Sequence, residues 1–105
     1  MTLGEPLIYY HRLALQELIE ARRWYANQSP RAERRFIVAV ENGVRRIQAG
    51  PDAGALFRAP YRWVKLRRFA YLLYYGPIGT GIIEVFAVAH GSRRLGYWLG
   101  RTSRP

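Results

Sequence analysis

The chain has 105 residues, half of them apolar and 14% aromatic, which suits one domain with a modest folded core and excludes a disordered polymer. It has no cysteine, so disulfides, thiolate metal sites and a cysteine nucleophile are ruled out. Lys and Arg number 17 against 7 Asp and Glu, a formal net charge of +10, and Lys65 is the lone lysine among them.

The charge is uneven. Residues 1–52 hold 8 basic and 6 acidic groups, whereas residues 53–105 hold 9 basic groups and a single acid, Glu84. Arg presents a planar fork suited to phosphate and carboxylate. The second half therefore calls for an anionic partner, either nucleic acid or an acidic protein segment, with a solvated basic surface as the plainer alternative. No apolar run is long enough to span a bilayer and the N-terminus does not read as a signal peptide, so a cytoplasmic location is expected.

In chain order, Leu7-Ile8-Tyr9-Tyr10 is rich in β-formers and predicts a strand. A helix follows from about His11 to Asn27. Ala14, Leu18, Ala21 and Tyr25 recur at helical spacing, Leu15, Ile19 and Trp24 widen the stripe, and Arg12, Gln16, Glu20 and Arg23 fill the outer face. Asn27-Gln28-Ser29-Pro30 breaks it, with Ser29 as a cap and Pro30 as the first residue of a second helix. That helix runs to about Ala49, with Phe36, Val40, Gly43 and Ile47 on its apolar side and Ile37 and Val44 beside them. Gly50-Pro51 ends it, with Gly50 expected in a left-handed conformation. The short link predicts a helix hairpin.

Asp52 to Pro60 reads as a loop from its Gly, Asp and Pro content. The period then changes. Tyr61–Arg67 alternates, with Arg62, Val64 and Leu66 on one face and Tyr61, Trp63 and Lys65 on the other. Phe69–Tyr75 is a second strand, Gly76–Gly81 a turn, and Ile82–Ala89 a third strand with Ile83, Val85, Ala87 and Ala89 as one apolar face. The fold class is α+β in the order β-α-α-β-β-β, a helix hairpin packed on a small, mainly antiparallel sheet whose other face stays at least partly open.

Standard catalytic sets are missing. Ser29, Ser92 and Ser103 lie in turns without a Gly-x-Ser-x-Gly setting, and Ser29 is better read as a cap. His11 and His90 are far apart and have no carboxylate pattern beside them, so neither a metal nor another cofactor is expected. What remains is a basic and aromatic cluster. Arg62, Lys65, Arg67 and Arg68 lie on one strand and its exit, and His90, Arg93, Arg94, Tyr97 and Trp98 follow the last strand. A meander can bring the two groups together to bind phosphate, stack a base and stabilise a pentavalent phosphoryl state. Without a carboxylate, proton transfer falls to His90, Tyr97 or Lys65. Each has a structural alternative: Tyr97 and Trp98 dock the C-terminal tail, His90 caps the sheet, and Arg67-Arg68 is a solvated turn.

Four stretches, in order, resemble the RelE/ParE family of toxins from type II toxin–antitoxin, or plasmid-stabilisation, systems. They are Glu17 to Tyr25 with its closing Trp24-Tyr25 pair, Ser29-Pro30 with Arg35-Phe36, Arg62 to Tyr75, and Val88 to Arg94 followed by Tyr97-Trp98. The resemblance implies one toxin domain over residues 1–105, held by an acidic antitoxin that covers the basic cluster. On the ParE-like branch the toxin arrests growth by binding an essential target, expected to be DNA gyrase. On the RelE-like branch it is a metal-independent endoribonuclease that cuts mRNA on the ribosome, with Lys65, Arg67, His90, Arg93 and Tyr97 as its catalytic set. A non-toxic binding module is a third reading. Trp63 and Leu72 stand where the nucleases often keep cations, and the His90-Gly91-Ser92-Arg93 ending looks ParE-like. Losing two cations would weaken a phosphorane-like state by about 2–4 kcal/mol each.

Overall fold

The computed structural model describes residues 4–102; Ser103 lies outside the described residues. Strand β1 (Leu7–Tyr10) leads into helices α1 (Arg12–Gln28) and α2 (Pro30–Ala49), followed by strands β2 (Ala55–Arg58), β3 (Tyr61–Lys65), β4 (Tyr71–Gly79) and β5 (Ile82–His90). The sheet order is β1-β5-β4-β3-β2. β1 runs parallel to β5 and the other pairs are antiparallel. This is the α+β architecture expected, with one strand more.

The extra strand is β2, inside the stretch read as a loop. It is four residues long, largely exposed and at the sheet edge, so it carries no apolar alternation to betray it. Pairing with β3 makes it a strand. The turn after β4 is also shorter than expected. β4 runs on to Gly79, and the reversal falls at Thr80-Gly81, where Gly81 has φ +70°.

Local signals set the helices. The His11 side chain accepts from the Leu13 N–H at 3.0 Å and caps α1. Ser29 ends α1 by donating its N–H to the Tyr25 carbonyl at 3.1 Å, and its hydroxyl accepts from the Ala32 N–H at 3.0 Å to start α2. A single residue therefore makes the hairpin. Gly50 ends α2 as expected but not in the left-handed region; it has φ −157° and donates to the Arg46 carbonyl.

The main core lies between the hairpin and one sheet face. Ala14, Ala21, Phe36, Val40 and Ile47 meet Val64, Leu66, Leu73, Tyr75 and Val85 there. Gly43 lets α2 approach, since a Cβ there would stand 3.0 Å from the Leu66 side chain. Leu15, Ile19 and Trp24, expected in the apolar stripe, are exposed instead. α1 packs on α2 and β5 through a narrow stripe, and Ala14 and Ala21 within it are small enough to bring the helix close.

The second face is covered rather than open. Tyr74, Phe86, Ala87, Ala89 and Trp98 form a second core, joined by Phe57, Tyr61 and Trp63. A bulge in β5 divides its apolar residues between the two cores. Tyr74 pairs Ala87 but Tyr75 pairs Val85, which leaves Phe86 as an extra residue. Side-chain parity flips there, so Ile83, Val85 and Val88 face the helices while Ala87 and Ala89 face the second core. Alternation alone had put Ile83 to Ala89 on one face.

Candidate functional site

Strand β1 is shorter than β5 and pairs with it only from Ile82 to Val85. The chain then leaves the sheet, with the His11 N–H donating to the Val85 carbonyl at 2.9 Å. Beyond that point no strand among the described residues lies beside the outer edge of β5, and backbone groups left there need other partners. Glu17 of α1 accepts from the Val88 N–H at 3.1 Å, and Arg101 donates to the Phe86 carbonyl at 3.0 Å. The two side chains form a bidentate pair at 2.9 and 3.0 Å. The Tyr97 hydroxyl donates to Glu17 Oε2 at 2.8 Å, and the Arg93 guanidinium lies 3.8 Å from the Tyr97 ring centre and 3.9 Å from the same carboxylate.

A carboxylate thus stands in the middle of a cluster that was expected to have none. Glu17 draws Arg93, Tyr97 and Arg101 onto the edge of β5 and holds the tail there. Burial, then the hydrogen bond to Glu17, raises the Tyr97 phenol well above its ordinary value. It is a proton donor to Glu17 and is poorly suited to accept a proton from a substrate. His90, at the exposed end of β5, accepts from the Ser92 N–H at 3.1 Å and meets Tyr71 edge-on. With Trp24, Glu20 and Arg93 it lines a cleft of about 400 Å³ beside Glu17.

Lys65, Arg67 and Arg68 form the other half of the expected cluster. They occupy the end of β3 and the turn into β4, at the same end of the sheet as His90, because Lys65 pairs Leu72 and Tyr71 pairs His90. With β4 between them the two groups sit roughly 10 Å apart along the sheet. The Lys65 ammonium donates to the Leu66 and Phe69 carbonyls at 3.1 and 3.0 Å and closes its own turn. Arg67 and Arg68 are exposed and lean towards α2, where Arg31, Arg34 and Arg35 line a shared groove of about 860 Å³.

Arg62 is far from both groups. It pairs across from Tyr75 and donates to the Gly54 carbonyl at 2.9 Å, near the opposite end of the sheet. Trp98 is fully enclosed in the second core and offers no surface to a partner. Arg94 is exposed just before Tyr97. The structure therefore gathers His90, Arg93 and Tyr97 in one place and Lys65, Arg67 and Arg68 in another. Sequence reasoning missed Glu17 and Arg101, whose roles depend on a neighbour some eighty positions away. It also missed Arg31, Arg34 and Arg35, although their helical spacing does place them on one side of α2.

A helix hairpin on a five-stranded mixed sheet, with cations gathered at one end, is the α+β fold of the RelE/ParE-like toxins. The family described as ParE toxin of the type II toxin–antitoxin system, parDE, matches residues 8–95, and the chain belongs to that family. It is a toxin of a type II toxin–antitoxin system, which implies a cognate antitoxin partner. No curated protein matches it. No helix among the described residues is long and apolar enough to cross a membrane.

Proposed function

We propose that this toxin arrests growth by binding and inhibiting an essential cytoplasmic target, DNA gyrase being the expected one, and not by cutting RNA. The observation that carries the reading is Glu17. It stands against Arg93 and Tyr97, two of the residues that the endoribonuclease reading would use to stabilise a phosphorane, and its charge opposes an incoming phosphate. The Tyr97 hydroxyl, the Arg101 guanidinium and the Lys65 ammonium are all committed to bonds within the chain. A single toxin domain without a cofactor suffices for such an inhibitor. Its acidic antitoxin would seat apolar side chains on Leu15 and Ile19, which are 45% and 42% exposed on α1, and direct acidic groups to the basic surface.

The test pairs two assays on the purified chain. Gyrase supercoiling is expected to fall with toxin concentration, while message in a translating extract stays intact. Unchanged supercoiling at high toxin concentration would refute the gyrase reading. His90 and Arg93 share one cleft and Tyr97 lies against Arg93, a grouping that favours the second reading, a ribosome-dependent endoribonuclease. That version requires message cleavage that disappears on Arg93→Ala or Tyr97→Phe.

A further inference from the structure

The groove between α2 and the β3–β4 turn is lined by Arg31, Arg34, Arg35, Arg67 and Arg68, and by no carboxylate. None of these five arginines has an ion-pair partner among the described residues. Glu33, the acid in the first turn of α2, is engaged by Arg22 of α1 at 2.8 Å. The tail clasp, in contrast, sets its arginines around a carboxylate. The protein therefore keeps two kinds of arginine, one neutralised for structure and one left unpaired.

The unpaired set is held against three local preferences. Cations in the first turns of a helix oppose its macrodipole, and Arg31 and Arg34 occupy those turns. Arg31 repels Arg34 and Arg35 at spacings of three and four, where like charges destabilise a helix. Arg68 has φ +66°, a left-handed conformation that L side chains seldom adopt. Local rules broken together in one place mark a site kept for something other than stability.

We propose that this groove binds the phosphate backbone of duplex nucleic acid, independently of sequence. From Arg31 to Asn42 the wall of α2 runs about 16 Å, a length over which a duplex presents roughly ten phosphates. The positive end of the helix dipole adds to the attraction. A single strand would need free aromatic faces for its bases. The aromatics of the groove are Tyr25 and Phe69; they meet each other edge-on, Tyr25 stacks on Phe36 and Phe69 meets Phe36 edge-on, so their faces are taken up within the chain. A peptide would need apolar anchors or an open strand edge. The groove offers one exposed large apolar side chain, Val38; the paired anchors are Leu15 and Ile19 on α1, and the open edges are those of the outer strands. The inference does not depend on which target the toxin inhibits.

The experiment measures binding of the free toxin to a random-sequence duplex of about 20 base pairs across a salt series. Five phosphate contacts predict that log K falls against log salt with a slope of about −3 to −4.5. Arg34→Gln/Arg35→Gln/Arg67→Gln is expected to bind at least about tenfold more weakly and to flatten the slope by about 2.7. The charge-matched control Arg12→Gln/Arg23→Gln/Arg58→Gln, all exposed and outside the groove, is expected to stay within about twofold on that electrostatic basis. A slope near zero for the unmodified protein overturns the proposal without any variant. So does an equal loss in the control, which would reduce the effect to net charge. Tighter binding of a single strand, or of polyglutamate, than of the duplex would overturn it too.

Discussion

Glu17 does more bonding than any other side chain described. Its two oxygens accept from the Val88 N–H, the Tyr97 hydroxyl and both terminal nitrogens of Arg101. Its side chain is 14% exposed, as is that of Arg101, so removing it leaves a mostly buried guanidinium and an orphaned strand N–H. Glu17→Ala is expected to cost about 2–4 kcal/mol, read from urea unfolding. A cost below about 0.5 kcal/mol would mean that solvent screens the pair. The phenols give a second test. Burial is the first cause raising Tyr10, Tyr25, Tyr71, Tyr74, Tyr75 and Tyr97 above their ordinary value. The unfolded chain then ionises first, near pH 10. The stabilisation is complete below that value and is lost as pH rises through the higher folded values. The urea midpoint is therefore expected to hold from about pH 8 to 9.5 and fall above about 10, less steeply in Tyr97→Phe.

At the scale of elements, the tail is as much a part of the fold as a strand. Trp98 meets Phe57, Tyr61, Tyr74 and Phe86 at ring separations of 5.5, 5.5, 4.9 and 6.0 Å. Trp98→Ala is expected to cost about 3–5 kcal/mol and to free the tail, measurable by unfolding and by amide exchange. Its indole N–H is buried without a hydrogen-bond partner, so Trp98→Phe loses volume but no bond and should cost much less. Equal losses for Ala and Phe would show that the indole makes a bond after all. The elements with strong local signals were legible in the sequence. Ser29-Pro30 marks the start of α2, and the period change after Pro60 marks the sheet. β2 was not legible, because a short, exposed edge strand owes its state to its neighbour. The parity of β5 was hidden for a related reason: a bulge belongs to a pair of strands, not to one.

The whole molecule carries +10, and five arginines without an ion-pair partner among the described residues crowd the groove beside α2. Self-repulsion of this kind weakens the compact state and is screened by salt. Raising salt from about 20 to about 300 mM is expected to stabilise the free toxin by on the order of 1 kcal/mol, or roughly 4–8 °C in Tm. A Tm that falls with salt would instead show attractive pairs dominating. An antitoxin with the acidic groups proposed for it should, on binding, remove most of the dependence.

The amino-acid sequence by itself determined the helix hairpin, the β-rich second half, the basic balance and the family resemblance. The first three are written in local spacing, capping chemistry or composition, the resemblance lies in four ordered stretches, and none needs a distant neighbour to be read. It also named His90, Arg93 and Tyr97, which the fold does bring together. Only the tertiary structure decided what surrounds them. The short reach of β1 leaves an open strand edge, and that edge draws in Glu17 and Arg101 from opposite ends of the chain. Only the packing of α2 beside the β3–β4 turn joins Arg31, Arg34 and Arg35 to Arg67 and Arg68. Both outcomes turn on contacts between residues far apart in sequence, where spacing carries no information about which charges end up paired and which stay free.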